Sequence, residues 1–304
     1  MTNRIELWKG LVGSRLYGCS REDSDFDIRS IYTLSAKELL NPFKNEKQIT
    51  RQNKEEDDVA YELSFFFCLA AQCNPNILEL LFVPEDPKYT YSMHPAFKLV
   101  RDNRHLFLSK ELFYRFTGYM KSQIHRLHNH AAWFKNPPDK HPKREDYFIP
   151  SCLTNEYLAQ IVNFPPEIIV DEYRKYIDNW RQYLEDKKRY QVYQVWLKER
   201  NPKRAALEKA YGYDTKFASH AVRLAFETKE LLINGNITFP LINAKDLLDI
   251  KNGLWTIEEV LNFADTAYAS LEKVMQLSTL PRHADRDKLA DLYFKVLETS
   301  GANA

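Results

Sequence analysis

The chain has 304 residues, with 43 Lys and Arg against 42 Asp and Glu, a formal net charge of +1. A hydrophobic share of 44% with 13% aromatics is too apolar for a disordered chain, and the balanced charge leaves any grip on nucleic acid or an acidic membrane to local patches. The length suits about two domains, or one large one.

No run of about 18 apolar residues occurs, and Met1 to Lys9 is polar and mixed in charge, so no membrane span and no secretory leader are expected, and a cytoplasmic location is. Cys19, Cys68, Cys73 and Cys152 form no CxxC pair and have no His at zinc-finger spacing, which points to reduced thiols.

Of eight glycines, Gly10, Gly13 and Gly18 share one nine-residue window, which marks an unusual backbone there. Arg4 to Trp8 alternates weakly and Leu11-Val12 leads into Gly13-Ser14, predicting a strand that ends at the glycine, then a short helix. Asp25 to Tyr32 alternates polar and apolar with period two, the pattern of a half-buried strand. A third strand candidate is Asp57-Asp58-Val59-Ala60-Tyr61.

From Glu62 the period becomes helical, through Leu63, Phe66, Phe67, Ala70 and Ala71, until Asn74-Pro75 blocks continuation. Ile77 to Phe82 forms a second short helix or strand that stops at Pro84. Beyond about Pro95 the strand signal fades. Helices are predicted over Lys110 to Lys135, between Pro165-Pro166 and Asn201-Pro202, and over Ala205 to Ile233, Asp246 to Ile250, Ile257 to Leu277 and Asp285 to Glu298. Asn136 to Pro142 is a turn-rich connector, and no internal repeat is present.

The chemistry concentrates in Gly13 to Ile28. Asp25 and Asp27, two apart on a strand, project from one face with Cβ atoms about 7 Å apart. Such carboxylates repel unless a cation neutralises them, and oxygen donors select hard Mg²⁺ or Mn²⁺ over zinc. Gly13-Ser14 at a strand-to-helix turn offers backbone N–H groups and a hydroxyl suited to a phosphate oxygen. A phosphate cradle beside a carboxylate metal site is the minimum equipment for nucleotidyl transfer.

Three further groups stand out. His125, His128 and His130 with Arg126 and Trp133 form a basic, aromatic helix face, read as a surface or interdomain face. Lys216, His220 and Arg223 share a helix face at i, i+4 and i+7. Rings between Asp171 and Arg204 interleave with Lys187-Lys188-Arg189, Lys198, Arg200, Lys203 and Arg204; this suits stacking on bases, though aromatics at helical spacing are more often core.

The run from Gly13-Ser14 to Asp23-Ser24-Asp25-Phe26-Asp27-Ile28 resembles the motif of the DNA polymerase beta-like nucleotidyltransferase superfamily. More narrowly, the chain resembles predicted nucleotidyltransferases associated with RNA repair and also found in large phages. That match rests on Gly13 to Gly18 and Asp23 to Arg29 together with Tyr61-Glu62-Leu63, Asn74 to Phe82, Phe107-Leu108-Ser109-Lys110, Gly118-Tyr119, Gly212-Tyr213-Asp214-Thr215-Lys216, His220, Arg223 and Asn252-Gly253. It covers nearly the whole chain except a block at about 145–204.

The resemblance implies an α+β fold: a polymerase-beta-like mixed sheet with flanking helices over about residues 1–90, then a mostly helical region over 91–304, with nucleotide in the cleft between them. It implies that Asp25 and Asp27 coordinate two catalytic metals, Mg²⁺ or Mn²⁺, with a third acid that is Asp57, or else Asp58 or Glu62. Gly13, Ser14 and Arg15, with Lys216, His220 and Arg223, would bind the NTP. The implied reaction is two-metal transfer of a nucleoside monophosphate to an RNA 3′ end, tRNA repair included, with pyrophosphate leaving in line. Alternatives are transfer to a protein hydroxyl or a small molecule, and a catalytically silent nucleotide- or RNA-binding module.

Overall fold

The computed structural model describes residues 4–22, 24–43, 46–52, 56–165 and 169–302. Asp23 of the acidic motif therefore lies outside the described residues. The chain divides into two compact units, Met1–Arg126 with Thr215–Ala304, and Leu127–Asp214.

The first unit holds a five-stranded mixed sheet of β1 (Arg4–Val12), β2 (Phe26–Leu34), β3 (Gln48–Gln52), β4 (Glu56–Glu62) and β5 (Thr90–Met93), in the order β3-β4-β2-β1-β5. Strands β2 and β4 run parallel and the remaining neighbours antiparallel. The fold is α+β, with helices on the sheet and a helical C-terminal region. Two corrections concern the strands. The strand read from Asp25 to Tyr32 begins at Phe26 and ends at Leu34, leaving Asp25 one residue before it. Strands β3 and β5 add two more, both short and at the sheet edges, where alternation has little room to appear.

Helix α1 (Gly13–Tyr17) follows β1 directly and ends where Gly18 takes a left-handed φ of 79°. Gly18 is required there twice over, since a Cβ would also stand 2.8 Å from the side chain of Pro240. After α2 (Ala36–Leu39), helix α3 (Leu63–Ala71) starts at the end of β4, where the Glu62 side chain accepts N–H bonds from Ser64 at 2.8 Å and Phe65 at 3.3 Å and caps it. Helix α4 (Pro75–Leu78) and a 3-10 turn at Glu79–Leu81 account for the short element before Pro84.

Helices α3 and α5 (Pro95–Asp102) pack on the sheet. Leu7, Trp8, Ile31, Leu63, Phe66 and Phe97 are wholly buried between them. Each such side chain contributes about 1.5–3 kcal/mol by leaving water. The chain passes between units within α6 (Glu111–Lys135) and returns at α10 (Thr215–Asn234), which packs on α11 (Ala244–Lys251) and α12 (Ile257–Leu277); α13 (Arg286–Ser300) closes on α3 and α5.

The second unit contains α7 (Asn155–Ile161), α8 (Asp171–Glu199) and α9 (Pro202–Tyr211). Its core gathers Ile149, Leu153, Leu158, Ile161, Ile177, Trp180 and Tyr183, so Trp180 and Tyr183 of the ring-rich block are packing residues. The helix expected over Ala205 to Ile233 is two helices, broken at Gly212, whose φ is 80°. Among the described residues no helix is long and apolar enough to cross a membrane.

Candidate active site

The site grows out of strand register. Antiparallel pairing sets Val12, the last residue of β1, against Asp27, and parallel pairing sets Asp27 against Asp57. Paired residues share a face, so Asp57 stands beside Asp27 while Asp58, paired with Ile28, faces the other side. Glu62, the remaining acid, is 3% exposed and occupied as the cap of α3.

Gly13 follows Val12 with φ 69°, and a Cβ built on it would stand 2.1 Å from Asp27 Oδ2. A glycine at this point is what lets the turn and the carboxylate share the space. Burial raises the Asp27 carboxyl above its ordinary value, and the negative charges of Asp57 and Asp25 act in the same direction; Arg29 and Lys216 oppose them. Asp25 is exposed. Thus Asp25 and Asp57 both act electrostatically on Asp27, and Lys216, on the first turn of α10, comes into the same field.

Sequence reasoning counted Arg29 in the matching motif but gave it no role. It donates to the backbone carbonyl of Asp57 at 2.8 Å and to Asp57 Oδ2 at 3.0 Å, holding that acid at two points. The signal was available: Arg29 lies two residues beyond Asp27, on the same face of β2.

Arg15 donates from Nη2 to the Ser24 carbonyl at 2.7 Å and stacks on Phe26 with 3.8 Å to the ring centroid, which straps down the loop before β2. The Ser14 carbonyl accepts from the Cys19 N–H at 3.0 Å and closes α1. His220 is half-buried and bonded to Arg223. Arg223 is 2% exposed, and its Nη1 pairs with Glu79 at 2.9 Å and with Glu227 at 2.8 Å. Tyr17 of α1 donates to the same Glu79 at 2.8 Å and lies under the Arg223 guanidinium. The stripe from Lys216 to Arg223 therefore runs from the acids to a buried ion cluster behind α1, and the structure gives Arg223 carboxylate partners.

Oxygen donors in mutual repulsion, one of them half-buried and raised in pKa by burial and then by its acidic neighbours, fit a hard divalent cation. A different group of potential ligands appears in the second unit. Among the described residues, donor atoms of His130, Glu208 and Asp214 come within 4.8 Å of one another. Glu208 bonds His130 at 2.7 Å and also pairs with Arg200, and Asp214 pairs with Arg204 at 3.1 Å. Burial pushes the Glu208 carboxyl up, but the bonds from His130 and Arg200 outweigh it and leave the group below its usual range. Two buried carboxylates balanced by two guanidiniums call for no added cation.

A mixed sheet that sets paired aspartates beside a Gly-Ser turn is the arrangement of polymerase-beta-like nucleotidyltransferases, and fold and site together put the chain in that class. The model of the RNA repair pathway DNA polymerase beta family, RlaP, matches residues 5–295. The chain belongs to that family. It is also similar to an uncharacterized 38.9 kDa protein in the nrdC-mobD intergenic region of Enterobacteria phage T4, at 23% identity over 305 residues, covering 87% of this chain and 88% of the relative. No solved structure matches it.

Proposed function

We propose that the protein transfers a nucleoside monophosphate from an NTP to the 3′ end of an RNA, with a damaged tRNA among its acceptors, and releases pyrophosphate. The observation that carries this reading is the register that sets Asp27 opposite Asp57 with Gly13 against the Asp27 carboxylate. The family's assignment to RNA repair supports RNA as the acceptor.

Asp25, Asp27 and Asp57 hold the divalent ions, two of Mg²⁺ or Mn²⁺, which neutralise the triphosphate and acidify the attacking hydroxyl when bound. Gly13 and Ser14 present backbone N–H groups to the triphosphate at the start of α1. Lys216 adds positive charge beside Asp27, and Arg15 keeps the loop before β2 closed against the nucleotide. His220 continues the nucleotide face of α10, while Arg223 acts as a positioning residue that anchors Tyr17, and with it α1, through Glu79.

The test is incubation with each α-labelled NTP and Mg²⁺ or Mn²⁺, with and without total RNA, beside the Asp25→Asn/Asp27→Asn double variant. Label on RNA that vanishes in the variant is expected. Label on protein would move the acceptor to a protein hydroxyl, and label that survives in the variant would remove these acids from the chemistry.

A further inference from the structure

Two further cations, Arg21 and Lys251, lie near Lys216, on residues outside the family-derived site. Lys251, at the end of α11, donates from Nζ to the Cys19 carbonyl at 2.9 Å and reaches Cys19 Sγ at 3.3 Å. Cys19 lies just past Gly18 at the C-terminal end of α1, and its N–H donates to the Ser14 carbonyl at 3.0 Å, so Lys251 is fixed to the short helix that Gly13 and Ser14 open. Burial lowers the Lys251 ammonium below the usual lysine range, and the positive charges of Lys216 and Arg21 push it the same way. Three cations thus share one field, and Lys216 extends that field to Asp27.

Arg21 supplies an independent observation. Its Nε and Nη2 are buried and have no hydrogen-bond partner, although its backbone is held firmly: its N–H donates to Ser24 Oγ at 2.8 Å and its carbonyl accepts from the Ser24 N–H at 3.1 Å. An unsatisfied buried guanidinium face is costly unless a ligand completes it. Among the described residues no carboxylate pairs with Arg21 or Lys251.

We propose that Arg21 and Lys251, with Lys216, form an anion subsite for the terminal phosphates of the NTP, holding the pyrophosphate as it leaves. The inference rests on the nucleotidyltransferase reading for its ligand. Charge selects that ligand: a single RNA phosphate carries one negative charge, whereas a polyphosphate tail carries several and matches three clustered cations. Arg21 offers the planar donor pair that phosphate oxygens accept, and Lys251 a point charge.

The probe is inorganic tripolyphosphate, titrated calorimetrically into the full chain, with a nucleoside monophosphate and a short single-stranded RNA as separate titrants. Arg21→Gln and Lys251→Gln are each expected to weaken tripolyphosphate roughly tenfold or more. Monophosphate and RNA affinity should hold, and KM for NTP should rise more than kcat falls. Lys251→Arg should recover part of the loss. Arg21→Gln, at a half-buried loop position, decides the matter alone should Lys251→Gln fail to fold. Wild-type tripolyphosphate affinity in Arg21→Gln, or a loss confined to RNA, would overturn the subsite while leaving nucleotidyl transfer standing. Loss of tripolyphosphate binding in Arg21→Gln alongside no label transfer by wild type to any acceptor would keep the subsite and remove the transferase reading.

Discussion

Gly13 and Asp27 occupy adjoining space: a Cβ on Gly13 would stand 2.1 Å from Asp27 Oδ2. Gly13→Ala therefore meets two penalties, the left-handed φ of 69°, about 1 kcal/mol for an L-residue, and displacement of the carboxylate. Because displacements near 1 Å cost about a hundredfold in rate, nucleotidyl transfer should fall by about that much, while thermal unfolding shifts only slightly. Full activity in Gly13→Ala would show that Asp27 has room to move without consequence.

Asp27 is held where its charge is unwelcome. Its folded pKa lies above its ordinary value of 3.8, chiefly through burial and then through Asp57 and Asp25. A raised folded pKa means that its stability contribution is full below the unfolded value and is lost as pH rises through the folded one. Asp27→Asn should therefore melt higher than wild type at neutral pH without metal, by roughly 1–3 °C, and the gap should close below about pH 3.8. Added Mg²⁺ or Mn²⁺ should raise the wild-type Tm and leave that of the variant unmoved. Equal melting of both proteins at neutral pH would count against the burial cost assigned to this carboxylate.

Arg29 grips Asp57 through its carbonyl at 2.8 Å and its carboxylate at 3.0 Å. Arg29→Met should loosen that acid and cost about 10–100-fold in Mn²⁺ affinity and turnover, the usual scale for a residue that orients a ligand. Arg29→Lys should not restore it, since one ammonium cannot reproduce the two-point hold. Isothermal titration with Mn²⁺ checks this directly: unchanged affinity in Arg29→Met would leave Arg29 as a mere ion-pair partner.

Much of the fold was legible locally. Period-two alternation located β2, the Asp57–Tyr61 candidate fell within β4, the glycine cluster marked the end of β1, and the apolar spacing from Ile257 to Leu277 matches α12 at both ends. Edge strands β3, with the sequence QITRQ, and β5, four residues long, carried too little pattern. The site was legible in its acids but not in its register. Only the parallel pairing of β2 with β4 distinguishes the face of Asp57 from that of Asp58. Arg21, Lys216 and Lys251 converge by tertiary packing across some 230 residues, and no local spacing announces them.

The buried cluster behind α1 sets the pH response. One guanidinium, Arg223, faces two carboxylates, Glu79 and Glu227, each under 5% exposed. Burial pushes both carboxyls up, Glu227 to about 7, against an ordinary value of 4.5, even though Arg223 pulls them down. Stability from Glu227 is accordingly full below about pH 4.5 and drains away as pH climbs through about 7. Urea unfolding across that window should show wild type weakening toward alkaline pH, and Glu227→Gln should flatten the slope because an amide keeps a neutral partner there at every pH. Arg223→Met strips both carboxylates of their cation and should cost about 3–5 kcal/mol, a loss that grows as pH rises. Since Tyr17 hangs from the same Glu79 at 2.8 Å, activity in Arg223→Met should decline with the anchoring of α1 even at a pH where the protein remains folded; undiminished kcat in a folded Arg223→Met would detach this cluster from the active site.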